Sequence, residues 1–213
     1  MPQTPILWSF RRCPYAMRAR LAVLASGITV DLREILLKDK PGAFRAASLS
    51  ATVPCLEANG QILDESRDIM LWALTQHDPD GWLVDPQDTA ALIDTNDGPF
   101  KTALDHTKYA VRFPDRDASA DRTTAADILQ TYDTRLAHHA HLLRDRESMA
   151  DAALRPFVRQ FANTDRAWFD AQDWPHLIRW LTAWETSDSF QAIMVKRPVW
   201  QPNDPPAYFP EAG

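Results

Sequence analysis

The sequence predicts an α/β amino-terminal domain built on a small mixed sheet, followed by an all-helical domain. Three observations predict it. Residues 5–76 alternate between strand and helix signals. Asn59-Gly60, the strongest two-residue hairpin signal in the chain, joins two of those strands. After residue 86 strand signals nearly vanish, and apolar residues recur only at helical spacing.

The first element is the apolar run 5–10, bounded by Pro5 and by Arg11-Arg12-Cys13-Pro14, which fits one short strand. Pro14 suits the first turn of a helix, where its missing N–H costs nothing. Met17, Leu21, Leu24 and Ala25 form the apolar stripe of that helix, with Arg18 and Arg20 off the stripe and Gly27 as its C′ residue. Residues 28–37 open with Ile28, Val30 and Leu32 alternating against Thr29, Asp31 and Arg33, a strand pattern. Residues 38–49 read as a polar link with a short helix. Residues 52–57 read as a strand that Pro54 either ends or confines to an edge, because proline cannot donate to a ladder. Residues 61–64 return from the hairpin, and Glu65 or Ser66 opens a helix reaching residue 76. A helical crossover makes the first two strands parallel, and a tight turn makes the last two antiparallel, so the sheet is mixed and four-stranded.

This domain is placed at residues 1–78 and the helical one at 86–213. Helices are expected over 87–112, 121–144, 148–163 and 174–194. Ser148 and Asp151 are spaced as a capping box at the start of the third, which also contains Pro156. Trp180 and Trp184 share a face with Leu177 and Leu181, a core stripe. The segment 198–213 holds five prolines and reads as an extended strap.

Composition bounds the chemistry. The 213 residues carry a net charge of −6, which argues against a protein that tracks nucleic-acid phosphates. Glycine occurs only 6 times, and neither GxGxxG nor GxxxxGK[ST] is present. Two cysteines make neither a disulfide framework nor a cysteine-rich metal site. No apolar run is long enough to cross a bilayer and the start has no basic leader, so a reducing, cytoplasmic setting is expected. His138, His139 and His141 read as a solvated helix face, and the aspartates from Asp78 to Asp88 lack calcium-loop spacing.

Cys13 is the most informative residue. It stands between a strand and a helix, where the positive end of the helix and its unpaired amides favour a thiolate over a thiol. Arg11 and Arg12 add positive potential nearby. A pKa brought from about 8.5 into the ~3.5–7.5 range of such positions makes the sulfur half to fully ionised at neutral pH. A lone cysteine is more often a packed small hydrophobe; the strand–Cys-Pro–helix setting is what points to a nucleophile. Ala16 stands where a resolving thiol of a C-x-x-C motif would be, so a disulfide attacked by Cys13 has to be resolved by a thiol from elsewhere. Cys55 reads as packed core. Pro54, especially in a cis bond, would turn the backbone groups of Val53 outward to an extended ligand. Glu65 and Ser66, at a helix start, offer an acceptor to an ammonium and a hydroxyl and amide to a carboxylate.

Cys13-Pro14-Tyr15-Ala16, Leu37-Lys38-Asp39-Lys40-Pro41, Thr52-Val53-Pro54 and Glu65-Ser66, in this order, resemble the thioredoxin-like domain of glutathione transferases, most closely the cysteine-type, omega-like group near glutaredoxins. The second half is similar to that family's helical domain, including the Ser148–Asp151 box and Pro156-Phe157-Val158-Arg159-Gln160. The resemblance implies that Cys13 forms a mixed disulfide with glutathione, a co-substrate, with no metal involved. It implies that Tyr15 lies beside the thiol and that Val53 and Pro54 hold the cysteinyl part. Lys40 would meet the glycyl carboxylate, and Glu65 with Ser66 the γ-glutamyl end. A glutathione-dependent thiol transferase or reductase is the implied activity, with a small disulfide or electrophile as second substrate and a homodimer as the assembly. Conjugation of glutathione to electrophiles, or a non-catalytic binding role, are the alternatives. The chain departs from the family's usual N-P-x-G-x ahead of the third strand, where it has Ser48-Leu49-Ser50-Ala51-Thr52.

Overall fold

The structure is a computed structural model that describes residues 3–211. In chain order the elements are β1 (Ile6–Ser9), α1 (Pro14–Ser26), β2 (Val30–Glu34), α2 (Gly42–Ala47), β3 (Cys55–Ala58), β4 (Gln61–Leu63) and α3 (Ser66–Gln76). There follow α4 (Pro86–Thr95), a π-turn (Asn96–Phe100), α5 (Lys101–Lys108), α6 (Ala118–Leu136), α7 (Met149–Ala162), α8 (Arg166–Asp170), α9 (Pro175–Glu185), α10 (Asp188–Ile193) and β5 (Tyr208–Phe209). The chain divides into two compact units, Met1–Gly81 with Ser187–Gly213, and Trp82–Thr186. The carboxy-terminal segment therefore groups with the first unit, not with the helical one as its place in the sequence suggests. Residues 1, 2, 212 and 213 of the expected domain limits lie outside the described residues.

In the first unit the strands lie in the order β4-β3-β1-β2-β5. β1 runs parallel to β2, with Leu7 opposite Leu32, and antiparallel to β3, with Leu7 opposite Leu56. The expected four strands are all present, and the fifth is the correction. The tail turns the outer edge of β2 into an interior one: Leu32 N–H donates to Ala207 O and Ala207 N–H to the Asp31 carboxylate, both at 2.8 Å. Trp200 meets Trp8 edge-on at 5.0 Å, and its N–H donates to Glu34 O at 2.9 Å. Two residues of ladder between Pro206 and Pro210 are too few to show as a strand in sequence.

Gly27 closes α1 in the left-handed conformation, φ 68°, which a residue without a Cβ adopts at no steric cost. The α1 helix has no solvent face of the expected kind, because Arg18 and Arg20 are each only 1 % exposed. The expected strand 52–57 instead runs from Cys55 to Ala58 between β4 and β1, so Pro54 precedes it and neither ends it nor confines it to an edge; the Val53–Pro54 bond is cis. This places the proline at the mouth of the strand, where its missing N–H leaves the ladder intact.

In the second unit α7 is central: all its residues except Arg159 and Gln160 are buried, and it packs against α4, α5, α8 and α9. The expected helix 87–112 is interrupted where Pro99 removes an amide, and the backbone passes through the π-turn before resuming as α5. The expected helix 121–144 stops at Leu136. His138, His139 and His141 therefore lie in a loop, and Leu142 N–H in that loop donates to Asp151 at 3.0 Å. The expected helix 174–194 breaks at Ser187, whose side chain accepts from Phe190 N–H and caps α10.

The capping box at α7 is present and buried. The Asp151 carboxylate, 0 % exposed, accepts from the Ser148 N–H at 3.0 Å, the Ser148 hydroxyl at 2.7 Å and Trp180 Nε1 at 2.8 Å. Burial by itself would raise its pKa; the bonds from His141, Ser148 and Leu142 and the charge of Arg155 outweigh that and bring it down to about 2. The folded pKa lies below the unfolded one, so this stability is present above the ordinary carboxylate range and is lost as pH falls towards 2, a span of roughly 2–3 kcal/mol. Replacing Asp151 with alanine strands Leu142 N–H, Ser148 and the Trp180 indole, and the expected loss is about 3–5 kcal/mol in urea unfolding. A loss below about 1 kcal/mol would contradict this role.

Candidate functional site

The site is built where β1 hands the chain to α1. Ser9 ends β1, a turn runs from Phe10 to Cys13, closed by Cys13 N–H donating to Phe10 O at 3.0 Å, and Pro14 opens the helix. Cys13 is the N-cap: its backbone is extended (φ −75°, ψ 123°) while its carbonyl accepts the first helical bond from Met17 N–H at 2.8 Å. The half-buried sulfur thus sits at the positive end of a 13-residue helix. From the opposite side comes the loop of the cis proline, and Cys13 Sγ lies 3.7 Å from Val53 O.

The loop before Val53 is held by polar groups where the usual glycine pattern is missing. The Asp64 carboxylate accepts from the Ser48 hydroxyl at 2.7 Å and from Ser50 N–H at 3.2 Å. The Ser50 and Thr52 hydroxyls lie 2.7 Å apart, and Lys40 Nζ donates to Ala51 O at 2.8 Å. Ala51 takes the position where the family pattern has glycine and has φ 49°, in the left-handed region. Burial acts to raise the Asp64 pKa, but the bonds from Ser48, Ser50 and Cys55 prevail and lower it.

The other expected residues are placed as follows. Ser66 begins α3 and is buried, and its hydroxyl accepts from Arg18 Nε at 2.9 Å. The Arg18 guanidinium also lies 5.1 Å from the centre of the Tyr15 ring, so Tyr15, Arg18 and Ser66 are tied together. Glu65 is the N-cap of α3, with its side chain exposed and making no capping bond. The structure thus brings Cys13 to Val53 and Pro54, links Tyr15 to Ser66 through Arg18, and ties Lys40 to the same loop.

Sequence reasoning missed Arg18, Arg20, Glu34 and Asp64. Arg20 is fully buried; it donates to the Ser9 hydroxyl and, at 2.7 Å, to Arg11 O. Burial lowers its pKa to about 10, against the raising pull of Glu34 and of Cys13. Glu34 accepts from Arg11 N–H at 2.7 Å; burial raises its pKa, while that bond and the charges of Arg20, Arg11 and Arg197 act to lower it. Arginines off an apolar stripe read as solvated; packing against α3 at Ser66 puts Arg18 inside, and Ser9 with the β1–α1 turn covers Arg20. Of the two arginines expected to charge the site, Arg12 is exposed, 5.6 Å from the Phe10 ring centre, and Arg11 Nη1 donates to Met194 O at 3.4 Å. Among the described residues no group of three or more His, Cys, Asp or Glu is gathered as for a metal ion.

The amino-terminal domain model of the glutathione S-transferases matches residues 7–81, and the carboxy-terminal domain model of the same family matches residues 115–183. The chain belongs to the glutathione S-transferase superfamily. It is similar to a probable glutathione transferase of Aplysia californica, 43% identical over 56 residues, which is 26% of this chain and 61% of the relative. In fold it is similar to glutathione transferase Omega 3C of Trametes versicolor, with a TM-score of 0.76 at 19% identity over 93% of this chain and 92% of that one. A theta-class transferase of the citrus canker pathogen Xanthomonas axonopodis pv. citri, solved with glutathione bound, gives 0.72 at 22% identity over 92% and 99%. In this chain a thioredoxin-like domain precedes a helical one, and the carboxy-terminal strand β5 lies at the edge of the sheet beside β2.

Two outcomes follow for this transferase fold. Burial, and then the facing Asp64 carboxylate, push the Cys55 thiol far above the ordinary range, so a disulfide reagent should titrate one thiol per native chain and the second only on unfolding. Two fast thiols would contradict the burial of Cys55. Ala51→Gly should stabilise the protein by about 1 kcal/mol, because glycine adopts φ 49° without a Cβ clash. The check is a higher denaturant midpoint at unchanged slope.

Proposed function

We propose that this protein is a glutathione-dependent thiol transferase of the cysteine type. The observation that carries the reading is the thiol of Cys13, half-buried at the start of α1 against the carbonyl that precedes Pro54, with Ala16 in place of a second cysteine. A thiol there is suited to attack on sulfur, and the absence of a resolving cysteine in the motif suits a monothiol cycle.

In that cycle the Cys13 thiolate attacks the glutathione sulfur of a mixed disulfide R–S–S–G. The bond from Cys13 Sγ to the glutathione sulfur forms as the S–S bond of R–S–S–G breaks, and R–S⁻ leaves to be protonated by solvent. A second glutathione, having lost its thiol proton, attacks the glutathione sulfur held on Cys13. Oxidised glutathione departs and the Cys13 thiolate is regenerated. The net change is R–S–S–G plus GSH to R–SH plus GSSG, so electrons balance with no metal or other carrier.

The protein's own groups have separate tasks. The outward backbone of Val53 would pair with the cysteinyl part of glutathione, as an added strand would. Glu65 would accept the γ-glutamyl ammonium, and the amides opening α3 at Ser66 would take its carboxylate, with buried Arg18 behind them. The Lys40 ammonium has three donors, of which Ala51 O takes one, so it also suits the glycyl carboxylate. Tyr15 would flank the thiol. On the family likeness we also propose a homodimer in the cytoplasm.

Replacing Cys13 with serine should lower transfer from a glutathionylated peptide by at least ~10²-fold, since a hydroxyl is a far weaker attacker of disulfide sulfur. Oxidised glutathione should leave one glutathionyl group on Cys13 of the native chain by mass spectrometry. Undiminished transfer in Cys13→Ser would overturn the reading, and a gain of conjugation to an electrophile in that variant would favour the conjugating class.

A further inference from the structure

The turn Phe10–Cys13 carries the chain from the end of β1 to the residue that bears the sulfur. In a four-residue turn the central peptide joins the second and third residues, here Arg11 and Arg12. Cys13 is the last residue of this turn, so whatever anchors the Arg11 backbone anchors the approach to the sulfur.

Both polar groups of Arg11's backbone are held by charged side chains, the buried Arg20 and the half-buried Glu34. Arg20 reaches back from the second turn of α1 and donates to Arg11 O at 2.7 Å; Glu34, the last residue of β2, accepts Arg11 N–H at 2.7 Å. The same guanidinium donates to the Ser9 hydroxyl, and the Ser9 carbonyl accepts Ile35 N–H at 2.9 Å. The last strand residue and the turn are thus gripped together. The carboxy-terminal strap closes the far side: Trp200 N–H donates to Glu34 O, Met194 O accepts from the Arg11 side chain, and Arg197 adds its charge to those acting on Glu34 and Arg20.

Stability alone is a poor reason for this arrangement. A buried ion is costly to desolvate, and apolar side chains of similar volume commonly serve a core as well or better. Arg20 is 1 % exposed and its Nε is buried without a hydrogen-bond partner. A guanidinium does something an apolar side chain cannot: its rigid fork fixes two acceptors at once, one on the strand and one on the turn.

We propose that Arg20 and Glu34 are positioning residues for Cys13, clamping the Arg11 backbone from its two sides so that the β1–α1 turn keeps one form and holds the sulfur at the start of α1. Neither residue needs to touch substrate. The inference rests on Cys13 being the reacting thiol, as argued above, but its test reads the sulfur itself.

The experiment is the rate of Cys13 alkylation by iodoacetamide across pH 5–10, located by mass spectrometry, in wild type, Arg20→Met and Arg20→Lys, with thermal unfolding beside it. Arg20→Met should slow alkylation at pH 7 by about tenfold or more and move the profile to higher pH. Arg20→Lys keeps a buried cation, but one ammonium does not reproduce the planar fork on Ser9 and Arg11, so a smaller loss of about threefold is expected. Should Arg20→Met not fold, Arg20→Lys decides. Folded variants with the wild-type profile would overturn the clamp, however much their melting temperatures fall, because a merely structural arginine would change the melt and leave the thiol as it was. Loss of the thiol-transfer reading would show instead in wild type, as absent transfer activity, and would leave the ratio between variant and wild-type alkylation rates untouched.

Discussion

The whole site depends on the meeting of a helix end with a proline-turned loop. Cys13 has extended backbone torsions, yet its carbonyl already belongs to α1, so its side chain stands at the helix mouth. The cis bond at Pro54 brings the Val53 carbonyl within 3.7 Å of the sulfur. The helix favours the thiolate, whereas a carbonyl accepts only from the thiol. The helix end and the Val53 carbonyl therefore pull the proton in opposite directions.

The two cysteines show how environment divides one chemistry into two roles. Cys55 lies only two residues beyond Val53, but it is buried in a cluster with Trp8, Ile35 and Phe44 and faces Asp64. Low polarity and a neighbouring carboxylate both oppose a thiolate there. Asp64 does double service: the carboxylate that keeps Cys55 neutral also anchors Ser48 and Ser50 and so shapes the loop that presents Val53. Lys40 secures the same loop at Ala51. A left-handed alanine persists because these bonds over-determine the backbone around it.

In each unit a buried charge stabilises backbone that has left regular structure. In the helical unit Asp151 collects the amides of a loop and a helix start. In the first unit Arg20 and Glu34 hold the turn before Cys13. Amides and carbonyls removed from water need partners, and a charged partner forms the stronger bond.

Much was legible in the sequence because it is local. Cys13-Pro14 ahead of a helical stripe, Gly27 behind it, Asn59-Gly60 between two strands and the Ser148–Asp151 box each depend on neighbours within a few residues, and each sits where local rules place it. The breaks at Pro99 and Ser187 were equally local and were overridden by a longer apolar pattern. What tertiary structure alone decided are the partners far apart in the chain. Arg18 is inside because α1 is covered by α3, where the Ser66 hydroxyl accepts from it; Arg20 is inside because it reaches Ser9 and Arg11; and Asp64 serves a loop fourteen residues back. The two-residue β5 exists because β2 offers an unpaired edge. Such partnerships carry no periodicity, so the sequence by itself determined which residues can do chemistry, and only the fold determined what holds them in place.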